Sequence, residues 1–180
     1  MSSLYKIFLK NIKKSPKKIF IYTEKKNFDG DTCKQKISYL RKFIVQSKIK
    51  VLGINYKNSS DWIFWYLAAD ACGIKIVLIK NSASLSELKL IKIKYEIDYV
   101  AKKITNNLRF KIKNEKNKKK IRKDILFTSG TIGMPKGVIL SEKSFLHVAN
   151  ILTKKLKQKE NDIELLSMPF DHSFGLVRLR

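Results

Sequence analysis

Cysteine, proline, glycine and acidic residues are all scarce in this sequence of 180 residues. The two cysteines, Cys33 and Cys72, stand alone in apolar helical surroundings, which predicts small core residues and argues against a disulfide framework or a cysteine-based metal site. A membrane span is not predicted either, because the most apolar stretch, residues 62–79, is interrupted by two charged residues and a glycine. The basic N-terminus lacks the apolar core of a secretory leader. We therefore expect a cytoplasmic protein.

Acidic residues number 15 against 39 lysines and arginines, which gives a formal net charge of +24. Clustered basic side chains supply the sequence-independent part of nucleic-acid affinity, so a basic nucleic-acid-binding protein is one hypothesis. Here, however, the basic residues are spread along the chain and are mostly lysine, a composition typical of AT-rich genomes. No helix-turn-helix, RNA-binding aromatic signature or metal finger accompanies them. Nucleic acid is therefore not the expected partner.

Strand and helix patterns alternate over the first hundred residues. Short apolar runs predict strands at residues 18–22, 51–56, 74–79 and 98–101. Helices are predicted by the apolar spacing at residues 33–44, by the polar cluster at 58–61 with Gly73 behind it, and by a capping box at Ser84 and Glu87. This order predicts an α/β fold with a parallel-type sheet flanked by helices.

Composition divides the chain into four segments. Residues 1–18 match no pattern of known role, and residues 19–101 carry the α/β pattern. Residues 102–123 are predicted to be a solvated basic linker, because residues 111–123 hold eight basic residues and one acid. Residues 124–180 contain a glycine-rich loop, a helix that includes His147 as a structural residue, and a strand predicted at residues 163–168.

Residues 128–137, which read TSGTIGMPKG, contain three of the seven glycines and follow a buried-strand pattern at residues 125–127. Glycine lets the backbone approach a ligand closely, so that successive N–H groups can face one anion. The loop adds the hydroxyls of Thr128, Ser129 and Thr131 and the ammonium of Lys136. Its spacing fits neither a Walker A loop nor a dinucleotide-binding turn. A phosphate-binding loop of another type is predicted, with an ordinary strand connection as the alternative.

Two segments resemble the signature motifs of one family. Residues 126–138 are similar to the pattern Tyr/Phe-TSGTTGxPKGV of the AMP-binding, acyl-adenylate-forming superfamily, with Ile132 where threonine is usual. Residues 168–176, MPFDHSFGL, are similar to its LPLFHxxGL segment, with Asp171 in the usual aromatic position. Weaker similarity at residues 62–73 and 86–88 extends the resemblance over most of residues 20–180. Glu142 stands where the family commonly has histidine.

The resemblance implies the N-terminal part of an acyl-CoA synthetase-like large domain. Such enzymes use ATP and Mg²⁺ to convert a carboxylic acid into an acyl-adenylate, and then transfer the acyl group to the thiol of coenzyme A or of a carrier protein. Lys136 and His172 are the implied catalytic residues, with His172 lining the acid pocket; a structural histidine is the alternative reading of His172. Pyrophosphate binding is implied for Thr128, Ser129, Gly130, Thr131, Gly133, Lys136 and Gly137.

Several motifs of that family have no counterpart in these 180 residues. Among them are the adenine-binding strand, the Tyr-Gly-x-Thr-Glu segment, the ribose-binding aspartate and the C-terminal domain with its lysine. The sequence therefore predicts a domain truncated at residue 180, active only if the missing portion is supplied, for example by a separate chain. The alternative is a catalytically incompetent remnant.

Overall fold

The computed structural model describes residues 4–104, 123–128 and 136–179. The helices in these ranges are α1 (Leu4–Lys14), α2 (Gly30–Gln46), α3 (Ser60–Cys72), α4 (Leu85–Lys94), α5 (Glu142–Lys155) and α6 (Ser173–Leu179). The strands are β1 (Ile19–Ile21), β2 (Phe28–Asp29), β3 (Val51–Ile54), β4 (Lys75–Leu78), β5 (Tyr99–Val100), β6 (Lys123–Phe127) and β7 (Gly137–Ser141). Four predicted phosphate contacts, Ser129, Gly130, Thr131 and Gly133, lie outside the described residues, as does most of the basic segment.

The central sheet has five strands in the order β5-β3-β4-β6-β7. The first four are mutually parallel, and β7 pairs antiparallel with β6 at one edge. The predicted α/β fold is therefore confirmed, with one antiparallel strand that the sequence does not predict. The first predicted strand also forms, but β1 pairs with β2 in a separate antiparallel ribbon and does not join the central sheet.

Helices cover both faces of the sheet. Successive residues of β4 point to opposite sides, so Ile76 and Leu78 belong to a core shared with α1, α2 and α3, whereas Val77 belongs to a smaller core shared with α4. Helix α3 contacts α1, α2, β3 and β4 and is buried on nearly all sides. None of the helices in the described ranges has the length and apolar character needed to cross a bilayer.

The local signals that predicted the helices are present in the structure. The apolar spacing of α2 places Cys33, Ile37, Leu40 and Ile44 in the core, each 0–1% exposed. At α3, the side chain of Ser59 accepts the N–H of Trp62, and Gly73 ends the helix in the left-handed conformation at φ 64°. The capping box of α4 forms as predicted between Ser84 and Glu87.

The strand predicted at residues 163–168 is absent. No described strand pairs with these residues, and the side chains of Ile163 and Leu165 are 73% and 89% exposed. An extended segment becomes a strand only when a neighbour supplies hydrogen bonds, and apolar composition cannot reveal whether that neighbour exists. His172 therefore does not follow a strand; it lies in the turn that leads into α6.

Candidate phosphate-loop site

The glycine-rich loop leaves the carboxyl end of β6. Residues 124–127 of this strand are buried, and Thr128, the first residue beyond it, is exposed. Strands β3, β4 and β6 are parallel, so their carboxyl ends meet at one edge of the sheet. This is the edge at which open α/β sheets bind ligands.

Thr128 and Lys136 close the base of the loop. The backbone N–H of Thr128 donates to the carbonyl oxygen of Lys136 at 3.1 Å, and the Thr128 hydroxyl lies 3.4 Å from the same oxygen. The chain then continues into β7, where Gly137 pairs with Phe127. Both ends of the loop are thus fixed to the sheet, while the side chain of Lys136 is exposed and forms no ion pair within the described ranges. An exposed ammonium on a fixed backbone can bind an anionic group.

Gly137 makes a second contact at the loop base. Its N–H donates to the hydroxyl of Tyr95, 2.9 Å away, which follows α4. A Cβ at residue 137 would clash with that hydroxyl and would lie 2.7 Å from Cγ2 of Ile125. Gly137 therefore has a packing reason to be glycine, in addition to the pyrophosphate contact predicted for it.

The turn that carries His172 is attached to the same edge of the sheet by two asparagines. Asn58, which follows β3, donates its side-chain N–H to the Met168 carbonyl at 2.7 Å and accepts the N–H of Phe170 at 2.9 Å. Asn81, which follows β4, donates its backbone N–H to Oδ2 of Asp171 at 3.0 Å. Because these residues follow parallel strands, the structure places Thr128, Lys136 and His172 at one edge.

The imidazole of His172 is about half exposed, whereas the adjacent Asp171 carboxylate is largely buried. Nε2 of His172 lies 3.7 Å from Oδ1 of Asp171, too far for a hydrogen bond. Oδ1 is buried and has no hydrogen-bond partner among the described residues. A small movement of the imidazole would bring the two groups into hydrogen-bond contact, so Asp171 is placed to orient His172.

The described residues at the carboxyl ends of the strands fit ATP better than they fit Mg²⁺. Lys136 supplies an exposed cation, and the loop base holds it in place, which suits a polyphosphate. Within residues 4–104, 123–128 and 136–179, no group of three His, Cys, Asp or Glu side chains is arranged to hold a metal ion. The described residues thus fit the phosphate chain and offer no protein cage for the metal.

Sequence reasoning missed the residues that organise this edge. The sequence predicts Asn58 only as part of a helix cap, indicates no role for Asn81, and predicts Tyr95 only as a possible apolar residue of the helix that begins at Ser84. Their contacts join residues that are 112, 90 and 42 positions apart, respectively, and no local pattern encodes such distances. The one available signal was their position, because each asparagine closely follows a parallel strand.

Comparison with known protein families shows to which family the chain belongs. The family model described as AMP-binding enzyme matches residues 10–179, nearly the whole chain. The chain belongs to the AMP-binding enzyme family. The motif resemblance at residues 126–138 and 168–176 is thereby confirmed at the level of the family. Among curated proteins, no match to this AMP-binding family chain is found.

Solved structures share the fold at low identity. The O-succinylbenzoate coenzyme A synthetase MenE of Bacillus subtilis, in complex with AMP, matches with a TM-score of 0.82 and 15% identity over 99% of this chain and 52% of that one. The N-terminal subdomain of Klebsiella oxytoca NpsA, in complex with 3-hydroxyanthranilyl-AMSN, matches with a TM-score of 0.80 and 14% identity over 99% and 51%. The AMP-binding family chain thus spans about half the length of these structures. At this identity the likeness concerns the fold alone.

Proposed function

We propose that this chain provides the phosphate-loop half of an acid–thiol ligase that works in the cytoplasm, where ATP and thiol acceptors are available. In the first step, a carboxylate oxygen of the acid attacks the α-phosphorus of ATP, the bond to the bridging oxygen breaks, and pyrophosphate leaves. In the second step, a thiol of coenzyme A or of a carrier protein attacks the acyl carbon and AMP leaves. The enzyme must hold a polyanion in line and neutralise charge on the departing phosphates.

The observation that carries this proposal is the fixed, exposed Lys136 at the carboxyl edge of the sheet. Its backbone carbonyl accepts two contacts from Thr128, so the lysine leaves the sheet at a defined place. Its ammonium would bind the β- and γ-phosphates of ATP. His172 would face the acid, with Asp171 behind it. The family match supports adenylate-forming chemistry and leaves the identity of the acid open.

ATP with Mg²⁺ is the proposed cofactor. A solved structure of the Bacillus subtilis synthetase is described as a complex with ATP and magnesium ion, at 16% identity and a TM-score of 0.77 to this chain. When bound, the metal would neutralise charge on the phosphates as they separate. Since the described residues form no metal cage, the phosphates and other parts of the enzyme would carry the ion.

The other half of the domain is the proposed protein partner. The chain covers only 52% of the matched synthetase. It also exposes apolar side chains, with Ile139 of the edge strand 60% exposed and Leu165 of the unpaired segment 89% exposed. Exposed apolar groups beside an open sheet edge are typical of an interface. The second candidate is a phosphate-binding remnant of such an enzyme without turnover.

Binding of ATP to the 180-residue chain tests the role of Lys136. Isothermal titration calorimetry in the presence of Mg²⁺ should detect binding of ATP. Lys136→Ala should lower the affinity for ATP by about 10- to 150-fold, which corresponds to the loss of a charge-assisted hydrogen bond of about 1.5–3 kcal/mol. Lys123→Ala is the matched control, because Lys123 is an exposed lysine at the opposite end of β6. Equal effects of the two substitutions would show non-specific attraction to a basic protein, and the proposed role of Lys136 would be wrong.

Carboxylate-dependent exchange between ATP and pyrophosphate tests the reaction itself. We expect exchange when the chain is combined with the polypeptide encoded directly downstream, and we expect Lys136→Ala to depress it. ATP binding without exchange in any combination would favour the remnant. Binding of nucleic acid with a steep salt dependence that Lys136→Ala leaves unchanged would instead support the nucleic-acid hypothesis.

A further inference from the structure

Tyr95 contacts the loop base from a separate part of the chain. Its hydroxyl accepts the N–H of Gly137 at 2.9 Å, across 42 positions of sequence. Its ring packs edge-to-face on Phe127, the last residue of β6, with ring centroids 5.3 Å apart. One side chain therefore contacts the strand that enters the loop and the strand that leaves it.

The backbone around Tyr95 is fixed by the end of α4. Tyr95 is the C-cap residue, and its own N–H donates to the Ile91 carbonyl at 3.0 Å. Glu96 follows with a φ of 52°, and the next N–H, from Ile97, returns to the Lys92 carbonyl at 3.0 Å. Ile97 is 5% exposed and belongs to the core beneath α4. The hydroxyl thus belongs to a residue whose backbone is hydrogen-bonded at the helix end, and its own hydrogen bond joins Gly137 to that end.

Glycine at residue 137 and tyrosine at residue 95 depend on each other. A Cβ on residue 137 would overlap the tyrosine hydroxyl and approach Cζ of the ring to 2.8 Å. The close approach of backbone to hydroxyl is possible only because residue 137 has no side chain. The neighbouring Lys136 is joined to Gly137 by one peptide bond, so restraining the Gly137 amide restrains the point from which the lysine side chain departs.

We propose that Tyr95 is a positioning residue of the phosphate loop. Its hydroxyl fixes the Gly137 N–H, and through it the place of Lys136 relative to Thr128 at the carboxyl edge of the sheet. The expected consequence of this restraint is tighter binding of ATP, and that consequence rests on the proposed function. The anchor itself, a hydrogen bond between two described residues, can be measured without any ligand.

The experiment compares Tyr95→Phe with Tyr99→Phe in the full 180-residue chain. Tyr95→Phe keeps the ring on Phe127 and removes only the hydroxyl. Tyr99→Phe is the matched control. Tyr99 lies on β5, the outermost strand on the side of the sheet away from β7, and it packs its ring on Phe43 and Trp65. Amide hydrogen exchange by NMR reports on the anchor, and titration with Mg²⁺ and ATP reports on its consequence. Lys136→Ala completes the set.

In Tyr95→Phe, we expect the Gly137 amide to exchange about 2- to 10-fold faster, the range for loss of one neutral hydrogen bond. The Leu126 amide, in the middle of β6, should keep its wild-type rate, which separates a local effect from general destabilisation. ATP affinity should fall by a similar factor. Tyr99→Phe should change neither quantity. Lys136→Ala should weaken the binding of ATP while leaving the exchange rate of the Gly137 amide unchanged.

The outcomes separate the inference from the function on which it rests. An unchanged Gly137 exchange rate in Tyr95→Phe overturns the anchor. Faster exchange with unchanged ATP affinity overturns the positioning role. If the wild-type chain binds no ATP, the proposed function fails and so does the consequence for ligand binding, while the exchange rates still decide whether the anchor exists.

Discussion

The hydrogen bond between Tyr66 of α3 and Asp124 of β6 allows a prediction of how much this contact between helix and strand contributes to the free energy of unfolding. The Tyr66 hydroxyl donates to Oδ2 of Asp124 at 2.7 Å, and the two residues are 0% and 2% exposed. Asp124 pairs with Ile76 on one side and Leu140 on the other, so it is built into the strand that leads to the phosphate loop. Tyr66→Phe removes the hydroxyl and keeps the ring, which stacks on Trp62 at 5.0 Å.

The magnitude follows from the chemistry of the acceptor. A hydrogen bond to a carboxylate contributes about 1.5–3 kcal/mol to stability, more than a neutral bond, and burial excludes water as a replacement donor. We therefore expect Tyr66→Phe to lower the free energy of unfolding by about 1.5–3 kcal/mol. For a domain of this size, that corresponds to a fall in Tm of about 3–12 °C.

Urea and thermal unfolding, followed by the fluorescence of the two buried tryptophans, measure this loss. Tyr22→Phe is the control, because the side chain of Tyr22 is 53% exposed and its hydroxyl can be replaced by water contacts. The control should stay within about 0.5 kcal/mol of the wild type. If Tyr66→Phe is as stable as Tyr22→Phe, the bond contributes nothing net and the reasoning from burial and acceptor charge is wrong.

Three further predictions concern other parts of the chain. Gly175→Ala should destabilise the turn before α6 by about 1–3 kcal/mol, since a Cβ there would overlap the Pro169 carbonyl, and faster amide exchange within α6 would show it. Burial raises the pKa of the Cys33 thiol to about 12, so an aromatic disulfide reagent at pH 8 should modify Cys33 in urea far faster than in the folded chain. The Ser84 N–H lowers the pKa of the Glu87 carboxyl, so its stabilising contribution is present at neutral pH and is lost on acidification below the ordinary value of 4.5; Glu87→Gln should reduce the acid dependence of helicity seen by circular dichroism.

Local chemistry made the helices and buried strands predictable. The spacing of Cys33, Ile37, Leu40 and Ile44 reports one face of one helix, and each residue is found in the core. The capping box at Ser84 and the glycine that ends α3 are signals contained within a few residues. Such signals suffice when the stabilising contacts are themselves local.

Long-range partners explain what the sequence did not reveal. The strand predicted at residues 163–168 has the right composition, yet within the described ranges it has no neighbour to bond with. β7 reverses direction after the loop and pairs with β6, although its burial pattern is mostly exposed. Asn58, Asn81 and Tyr95 act across 42 or more positions, so their roles appear only when the fold brings them to the sheet edge.

Two of the motif glycines, Gly137 and Gly175, carry different information about activity from the motif lysine, Lys136. Gly137 and Gly175 both have packing reasons to lack a side chain, because a Cβ would overlap Tyr95 at one site and the Pro169 carbonyl at the other. A remnant that still folded would therefore need both glycines, whether or not it bound ATP. Lys136 is different, because its side chain is exposed and forms no ion pair in the described part of the chain. Folding places no such demand on it, so ATP binding that depends on Lys136 is the measurement that separates a working phosphate site from an inherited fold.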